Sequence, residues 1–295
     1  MDGVIGVTGA TGALGRRVVD RLAAAADVRL RLVVRDAARA PRVPGAEVVE
    51  NPGGYRDPRG LRAALDGVHT LYLVSAAEAE DRLRQHVDAV EAAAAAGVQR
   101  IVYTSFVGAR PDAVFTLVRQ HAATEAAIAA TGVRHTFLRH SMYADFVPFF
   151  ATLENGRAVI AAPAGEGHTG FVSRDDLADV AAAVLLRDDG DLDGAALDVT
   201  GPEALSMAEA AAVLEEITGR PAEYRQQNLE EAWATRRPSG HPDWEVEGWV
   251  TSYLAIAAGE LASVTDAVPR LTGHPARTVA EHLRVHPDDW AHLRG

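Results

Sequence analysis

Val4-Ile5-Gly6-Val7-Thr8-Gly9-Ala10-Thr11-Gly12-Ala13-Leu14-Gly15 is a short apolar run followed at once by three glycines spaced G-x-x-G-x-x-G. A helix is predicted over residues 16–26 directly behind it. Strand, glycine turn and helix start are the layout of a dinucleotide-phosphate site. Gly9 lets the chain turn tightly, Gly12 lets a pyrophosphate approach the backbone, and Gly15 lets the helix pack close to the strand. The free N–H groups and the dipole of the helix N-terminus then face the anion. Thr11, Ala13 and Leu14 complete the expected phosphate cradle.

The second informative feature is an absence. The chain contains no lysine, so all 29 of its Lys+Arg residues are arginine. A Walker lysine, a Schiff-base lysine and a Tyr-x-x-x-Lys acid are excluded. There are no cysteines, which removes disulfides, thiolate zinc sites and cysteine nucleophiles. The formal charge of −12 argues against nucleic acid as a partner. No apolar run approaches the roughly 20 residues of a membrane helix, and the start is too polar for a signal peptide. The expectation is a cytoplasmic protein with no membrane partner, monomeric or a homodimer.

Strand-like runs at residues 29–34, 47–50, 70–74, 100–104 and 134–138 alternate with helical stretches, including 82–96 and 119–130. Gly97 and Gly132 read as helix stops. This order predicts an α/β fold: a Rossmann-type, doubly wound parallel sheet covered on both faces. Ligands of such sheets bind outside the carboxyl ends of the strands. Ser75, Thr104, Ser105 and His140 follow strands and are candidate cofactor contacts.

After Tyr143 the pattern changes. Phe146-Val147-Pro148-Phe149-Phe150 is an aromatic run broken by proline. Residues 158–162 read as a strand outside the main sheet, 175–186 as a helix and 196–199 as a last main-sheet strand. Ser206 and Glu209 are spaced as a capping box for a helix over 206–218. The expected division is a nucleotide-binding domain over 1–145, with 169–201 returning to it. Residues 146–295 then form mainly a smaller, mixed substrate domain.

Several stretches together resemble the short-chain dehydrogenase/reductase superfamily. More narrowly, they resemble its atypical NmrA-like branch and the NAD(P)H:quinone oxidoreductase type 2 group. The likeness is carried by the glycine run, by Val34-Arg35-Asp36 and by Tyr103-Thr104-Ser105. His121-Ala122-Ala123-Thr124-Glu125, Phe137-Leu138-Arg139 and Leu271-Thr272-Gly273-His274-Pro275 complete it. The resemblance implies hydride transfer to quinones or other conjugated acceptors. The alternatives are a non-catalytic NADP(H)-binding sensor and a biosynthetic reductase or dehydratase of an aromatic or polyketide-like metabolite.

NAD-selective sites place an acid about 20 residues beyond the glycines. Arg35 stands twenty residues after Gly15. A guanidinium pairs with a 2′-phosphate and accepts nothing from a ribose hydroxyl, so NADPH is the expected cofactor. Arg39 offers a second cation. Where the resemblance implies an acid beside adenine, glycine stands in Asn51-Pro52-Gly53-Gly54-Tyr55, leaving Tyr55 to border the ring.

The resemblance places Ser105 at the carbonyl-orienting serine, His121 at the lysine and Leu117 at the tyrosine, so the proton-relay pair is absent. Reducing a ketone makes an alkoxide that needs an acid. Reducing a quinone makes a delocalised phenolate that collects its proton from water. A planar, conjugated small molecule is therefore the expected substrate. His121 has two readings: a general acid or ribose ligand, or a hydrogen bond to Glu125 one turn on. Tyr143 also has two: a donor to a substrate oxygen, or a boundary aromatic. Phe146, Phe150, Trp233 and Trp249 are candidates for an apolar wall. His282 and His286 stand four apart but have no third ligand nearby in sequence, so no metal site is expected. Asp175-Asp176 reads as a helix start and Asp188-Asp189 as a solvated loop.

Overall fold

The structure, a computed structural model, describes residues 3–25, 28–187 and 189–294. Ala26, the expected end of the first helix, and Asp188 of the expected loop lie outside the described residues.

The first half runs β1 (Val4–Thr8), α1 (Ala13–Ala24), β2 (Arg29–Val34), β3 (Glu47–Glu50), α2 (Pro58–Ala64), β4 (Val68–Leu73), α3 (Arg82–Ala95), β5 (Arg100–Phe106), α4 (Thr116–Ala130) and β6 (Arg134–His140). Then come α5 (Phe146–Phe149), β7 (Ala151–Glu154), β8 (Arg157–Ala162), β9 (His168–Thr169), α6 (Arg174–Leu185), β10 (Ala195–Val199), β11 (Leu205–Ser206), α7 (Met207–Thr218) and β12 (Ala222–Gln226). Helices α8 (Leu229–Arg236), α9 (Asp243–Ala257), α10 (Ala267–Thr272) and α11 (Val279–Val285) follow.

Among the described residues the main sheet has seven strands in the order β10-β6-β5-β4-β1-β2-β3. Strand β1 pairs in parallel with both β2 and β4, and β2–β3 and β4–β5 are parallel too. The winding reverses beside β1, the switch point where open α/β sheets bind ligands. Residues 71–73 and 101–103 are buried on both sheet faces. That explains their unbroken apolar character, since strands covered on both sides show no alternation. Leu61, Leu65, Leu71, Ile101 and Ile128 knit helices and sheet into one core.

Helix α1 starts already at Ala13. Gly12 takes the extended N-cap conformation, and Arg16 N–H bonds the Gly12 carbonyl at 3.0 Å. The expected capping box is present: Ser206 accepts from Glu209 N–H, and the Glu209 carboxylate accepts from Ser206 N–H. The proline-broken aromatic run folds as the single turn α5. Strand β8 lies in a small sheet, parallel to β12 and antiparallel to β7.

The chain divides into two compact units. The first comprises Met1–Phe106, Gln120–Arg139 and Leu177–Leu197, and the second Val107–Arg119, His140–Asp176 and Asp198–Gly295. Residues 107–119 and 140–145, expected in the first domain, thus group with the second unit. Segment 107–119 has partners far along the chain there: Val114 N–H bonds the Glu260 carboxylate at 3.0 Å, and Thr116 N–H bonds Thr251 Oγ1 at 3.3 Å. Of the stretch expected to return, only Leu177–Leu197 belongs to the first unit. Among the described residues no helix is long and apolar enough to cross a membrane.

Candidate functional site

The carboxyl ends of β1 to β4 in the first unit enclose a cavity of about 380 Å³. Gly9, Thr11 and Gly12 line it from the first turn, Arg35 from the end of β2, Tyr55 from beyond β3 and Ser75 from beyond β4. Gly9 has φ +64°, and a side chain there would meet Val74 Cβ at 2.9 Å. Gly12 N–H closes the turn onto the Gly9 carbonyl at 2.9 Å. No side chain caps α1, so its first-turn N–H groups have no intrahelical or capping acceptor. Ala13, Leu14 and Gly15 form that first turn without lining the cavity. A Cβ on Gly15 would overlap the Gly9 carbonyl, so its glycine serves the packing of α1 against the turn.

The cations are arranged differently from expectation. Arg56, and not Arg39, joins Arg35 among the lining residues. Arg56 is held by a two-pronged ion pair to Asp81 at 2.7 and 2.8 Å. Asp36, next to Arg35, accepts from Ala38 N–H at 2.9 Å and caps a 3-10 turn. The Tyr55 hydroxyl lies 2.6 Å from both Thr8 Oγ1 and the Val74 carbonyl. Burial pushes its pKa well above that of a free phenol, so it stays neutral.

Behind the cavity wall lies a buried polar network that sequence reasoning missed. The Ser75–Ala76 backbone is clamped at three points. Ser75 N–H donates to Thr104 Oγ1 at 2.7 Å, Ala76 N–H to His86 Nε2 at 2.9 Å, and Arg82 Nε to the Ala76 carbonyl at 2.8 Å. Because His86 Nε2 accepts, its proton sits on Nδ1, 2.9 Å from Thr124 Oγ1. Arg82 also donates to His121 Nε2 at 3.0 Å, and His121 Nδ1 lies 2.9 Å from the Tyr103 hydroxyl. The expected His121–Glu125 bond is therefore not formed. Glu125 takes Ser105 Oγ at 2.5 Å and a two-pronged pair from Arg139 at 2.6 and 2.9 Å. Ser105 and His121 are both engaged in the interior. Their long-range partners were invisible in sequence, where only the i, i+4 neighbour could be seen.

In the second unit, His140 is buried with its Nδ1 3.4 Å from the Tyr143 hydroxyl. Thr104 and His140, expected cofactor contacts, are not among the cavity-lining residues. The Arg174 guanidinium lies 4.3 Å from the centre of the Tyr143 ring and 5.4 Å from that of Phe146, and it pairs with Asp145. Such stacking holds the cation and both rings together. Phe146 packs on Tyr143 and Phe150, and Phe150 packs on Phe171 and Tyr253. Trp233 and Trp249 belong to a different cluster, around Ala232, Val246 and Val250. The expected four-membered wall is thus split: Phe146 and Phe150 share one cluster, and the two tryptophans serve another.

Burial, reinforced by Arg82 for His86 and by Arg174 for His140, lowers each imidazole pKa to about 3. Below about pH 6.5 the unfolded chain binds protons that the folded one refuses, so stability falls with pH through the window from 6.5 to 3. The expected loss is up to about 2 kcal/mol per histidine at about pH 5. Urea midpoints at about pH 7.5 and about pH 5 measure it. A His86→Gln variant should show a shallower slope, and an unchanged slope would remove His86 from the account.

A family model described as the NmrA-like family matches residues 1–238. The chain belongs to the NmrA-like family. Within it, the chain is 32% identical over 280 residues to an NAD(P)H azoreductase from Xenophilus azovorans, covering 95% of this chain and 96% of that one. It is 34% identical over 288 residues to (4-alkanoyl-5-oxo-2,5-dihydrofuran-3-yl)methyl phosphate reductase from Streptomyces griseus, covering 97% and 98%. Among solved structures, the crystal structure of an NADPH-dependent quinone oxidoreductase from Escherichia coli complexed with NADPH superposes with a TM-score of 0.85 at 30% identity. That match covers 96% of this chain and 99% of the other.

Proposed function

We propose that this NmrA-like protein is an NADPH-dependent reductase of quinone-like or other conjugated, planar acceptors, working without a Tyr–Lys acid pair. The observation that carries the proposal is the cavity at the switch point. It joins the Gly9–Gly12 turn, which ends at the N-cap of α1 and fits a pyrophosphate, to Arg35, which fits a 2′-phosphate. NADPH would supply the hydride.

The chain's own part is to bind, orient and exclude water. Gly9 and Gly12 admit the pyrophosphate, Arg35 and Arg56 hold the extra phosphate, and Tyr55 borders the adenosine end. The Tyr143 and Phe146 rings beneath Arg174 offer a flat, cation-edged platform for a planar acceptor. With no lysine in the chain and His121 bonded to Arg82 and Tyr103, proton delivery is assigned to water. That suits acceptors whose reduced form spreads its charge. The names of the relatives agree: a quinone, an azo compound and an oxo-dihydrofuran all place the electrophilic atom in a conjugated system.

Steady-state NADPH oxidation with a naphthoquinone, an azo dye and an aliphatic ketone tests the proposal. Turnover is expected with the first two and negligible with the ketone. Tyr143→Phe and His121→Asn should each leave quinone kcat within about tenfold, below the roughly 10²–10⁴ contribution of a general acid. A thousandfold loss in either variant, with NADPH binding intact, would identify that residue as the acid. No oxidation with any conjugated acceptor would point to a sensor.

A further inference from the structure

The second unit brings Asp175 to three side chains that are neighbours in sequence, His282, His286 and Asp289. His282 and His286 lie one turn apart at the end of α11, with His286 N–H bonded to the His282 carbonyl at 3.0 Å. The chain then turns through Pro287 and carries Asp289 back, so that its carboxylate lies 3.1 Å from His282 Nε2. From the start of α6, Asp175 places a carboxylate oxygen 2.6 Å from His286 Nε2. The ligand atoms of Asp175, His282 and His286 all lie within 4.8 Å of one another.

We propose that Asp175, His282, His286 and Asp289 form a binding site for a divalent transition-metal ion, with Zn²⁺ the best match. Two imidazole nitrogens and two carboxylate oxygens are a donor set that Zn²⁺ accepts in tetrahedral geometry. Two neutral imidazoles and two carboxylates also carry a charge of −2, which a divalent ion cancels. Asp175, His282 and His286 already lie within the span of one coordination sphere, and the Asp289 carboxylate, now 3.1 Å from His282 Nε2, would have to swing toward them to complete bonds of about 2.0–2.2 Å.

The surroundings are those of a built site. His282 is 1% exposed, so its ring is locked by packing. Its far nitrogen, Nδ1, lies 2.9 Å from Ser173 Oγ, which also accepts from Asp175 N–H at 3.1 Å. One hydroxyl thereby orients two of the ligands, the outer support that metal-bound histidines characteristically have. His286, Asp175 and Asp289 remain partly exposed, with side-chain exposures of 24%, 18% and 30%, which leaves an entry path. Bound there, the ion would tie the 279–290 segment to the start of α6 and stabilise the second unit.

The test uses the full-length, untagged chain after treatment with chelator. Zn²⁺ titration against a competing chromophoric chelator should give about one ion per chain and a raised melting temperature. Co²⁺ should develop the visible bands of a four-coordinate N/O complex. The partly exposed ligands allow substitution without opening the interior: His286→Ala and Asp175→Asn should each abolish the Co²⁺ bands and the thermal shift. Ser173→Ala should weaken binding by roughly 10- to 100-fold. Failure of the wild-type chain to bind Zn²⁺ or Co²⁺ would overturn the site. So would equal binding by the His286→Ala and Asp175→Asn variants, which would place the ion elsewhere.

Discussion

Gly12→Val is expected to abolish NADPH binding in a chain that still folds, whereas Gly15→Val is expected not to fold. The two glycines stand one helical turn apart, yet they meet different surroundings. A Cβ on Gly12 would lie 3.3 Å from the Gly9 carbonyl oxygen, a tight contact relieved by a shift of a few tenths of an ångström. Gly12 also lines the cavity, so the valine methyls would fill the space a pyrophosphate needs. A Cβ on Gly15 would overlap the carbonyl of Gly9 and press on the Ala10 backbone, neither of which is a flexible side chain. Forcing α1 away from the turn places the cost among the exceptional ones, about 4–5 kcal/mol or more. Circular dichroism, thermal melts and fluorescence titration with NADPH separate the outcomes. Normal NADPH affinity in a folded Gly12→Val protein would show that the glycine turn does not bind the phosphates.

Arg35→Asp is expected to weaken NADPH by about 10- to 150-fold while leaving NADH within a few-fold of wild type. The guanidinium lines the cavity, and the neighbouring Asp36 is occupied with the Ala38 N–H. Arg35 is therefore the side chain best placed for a 2′-phosphate. A hydrogen bond to a charged group contributes roughly 1.5–3 kcal/mol, and each 1.4 kcal/mol is about tenfold in affinity. Arg56 lines the same cavity but is already bonded to Asp81, so Arg56→Ala should have the smaller effect. Titration of both cofactors against the three proteins decides it. Equal losses for NADPH and NADH would mean that Arg35 does not discriminate between them.

The elements of the main sheet were legible because each has a local cause. Apolar runs, glycine turns and alanine-rich helices repeat in a fixed order, and the order alone predicts parallel winding with a ligand at the strand ends. The capping box at Ser206 was legible for the same reason: its two partners are three residues apart. The side-chain roles behind the cavity were not. His121 stands four residues from Glu125, and helical spacing suggested their bond. In the fold, the Glu125 carboxylate is taken by Arg139 and Ser105, and the His121 ring turns to Tyr103 and Arg82.

The class of fold, the position of the glycine turn at the end of the first strand and the chemistry ruled out by the missing lysine and cysteine could all be read from the residues alone. These follow from residue identity and from spacings shorter than one element. Which polar groups meet was settled by the packing of the elements. Arg56 rather than Arg39 joins Arg35 in lining the cavity, the tryptophans leave the Phe146–Phe150 cluster, and Asp175 reaches His286 across more than a hundred residues. Hydrogen bonds and ion pairs act over about 3 Å. The partner of a buried charge is therefore set by how strands and helices are stacked, and no local spacing encodes it.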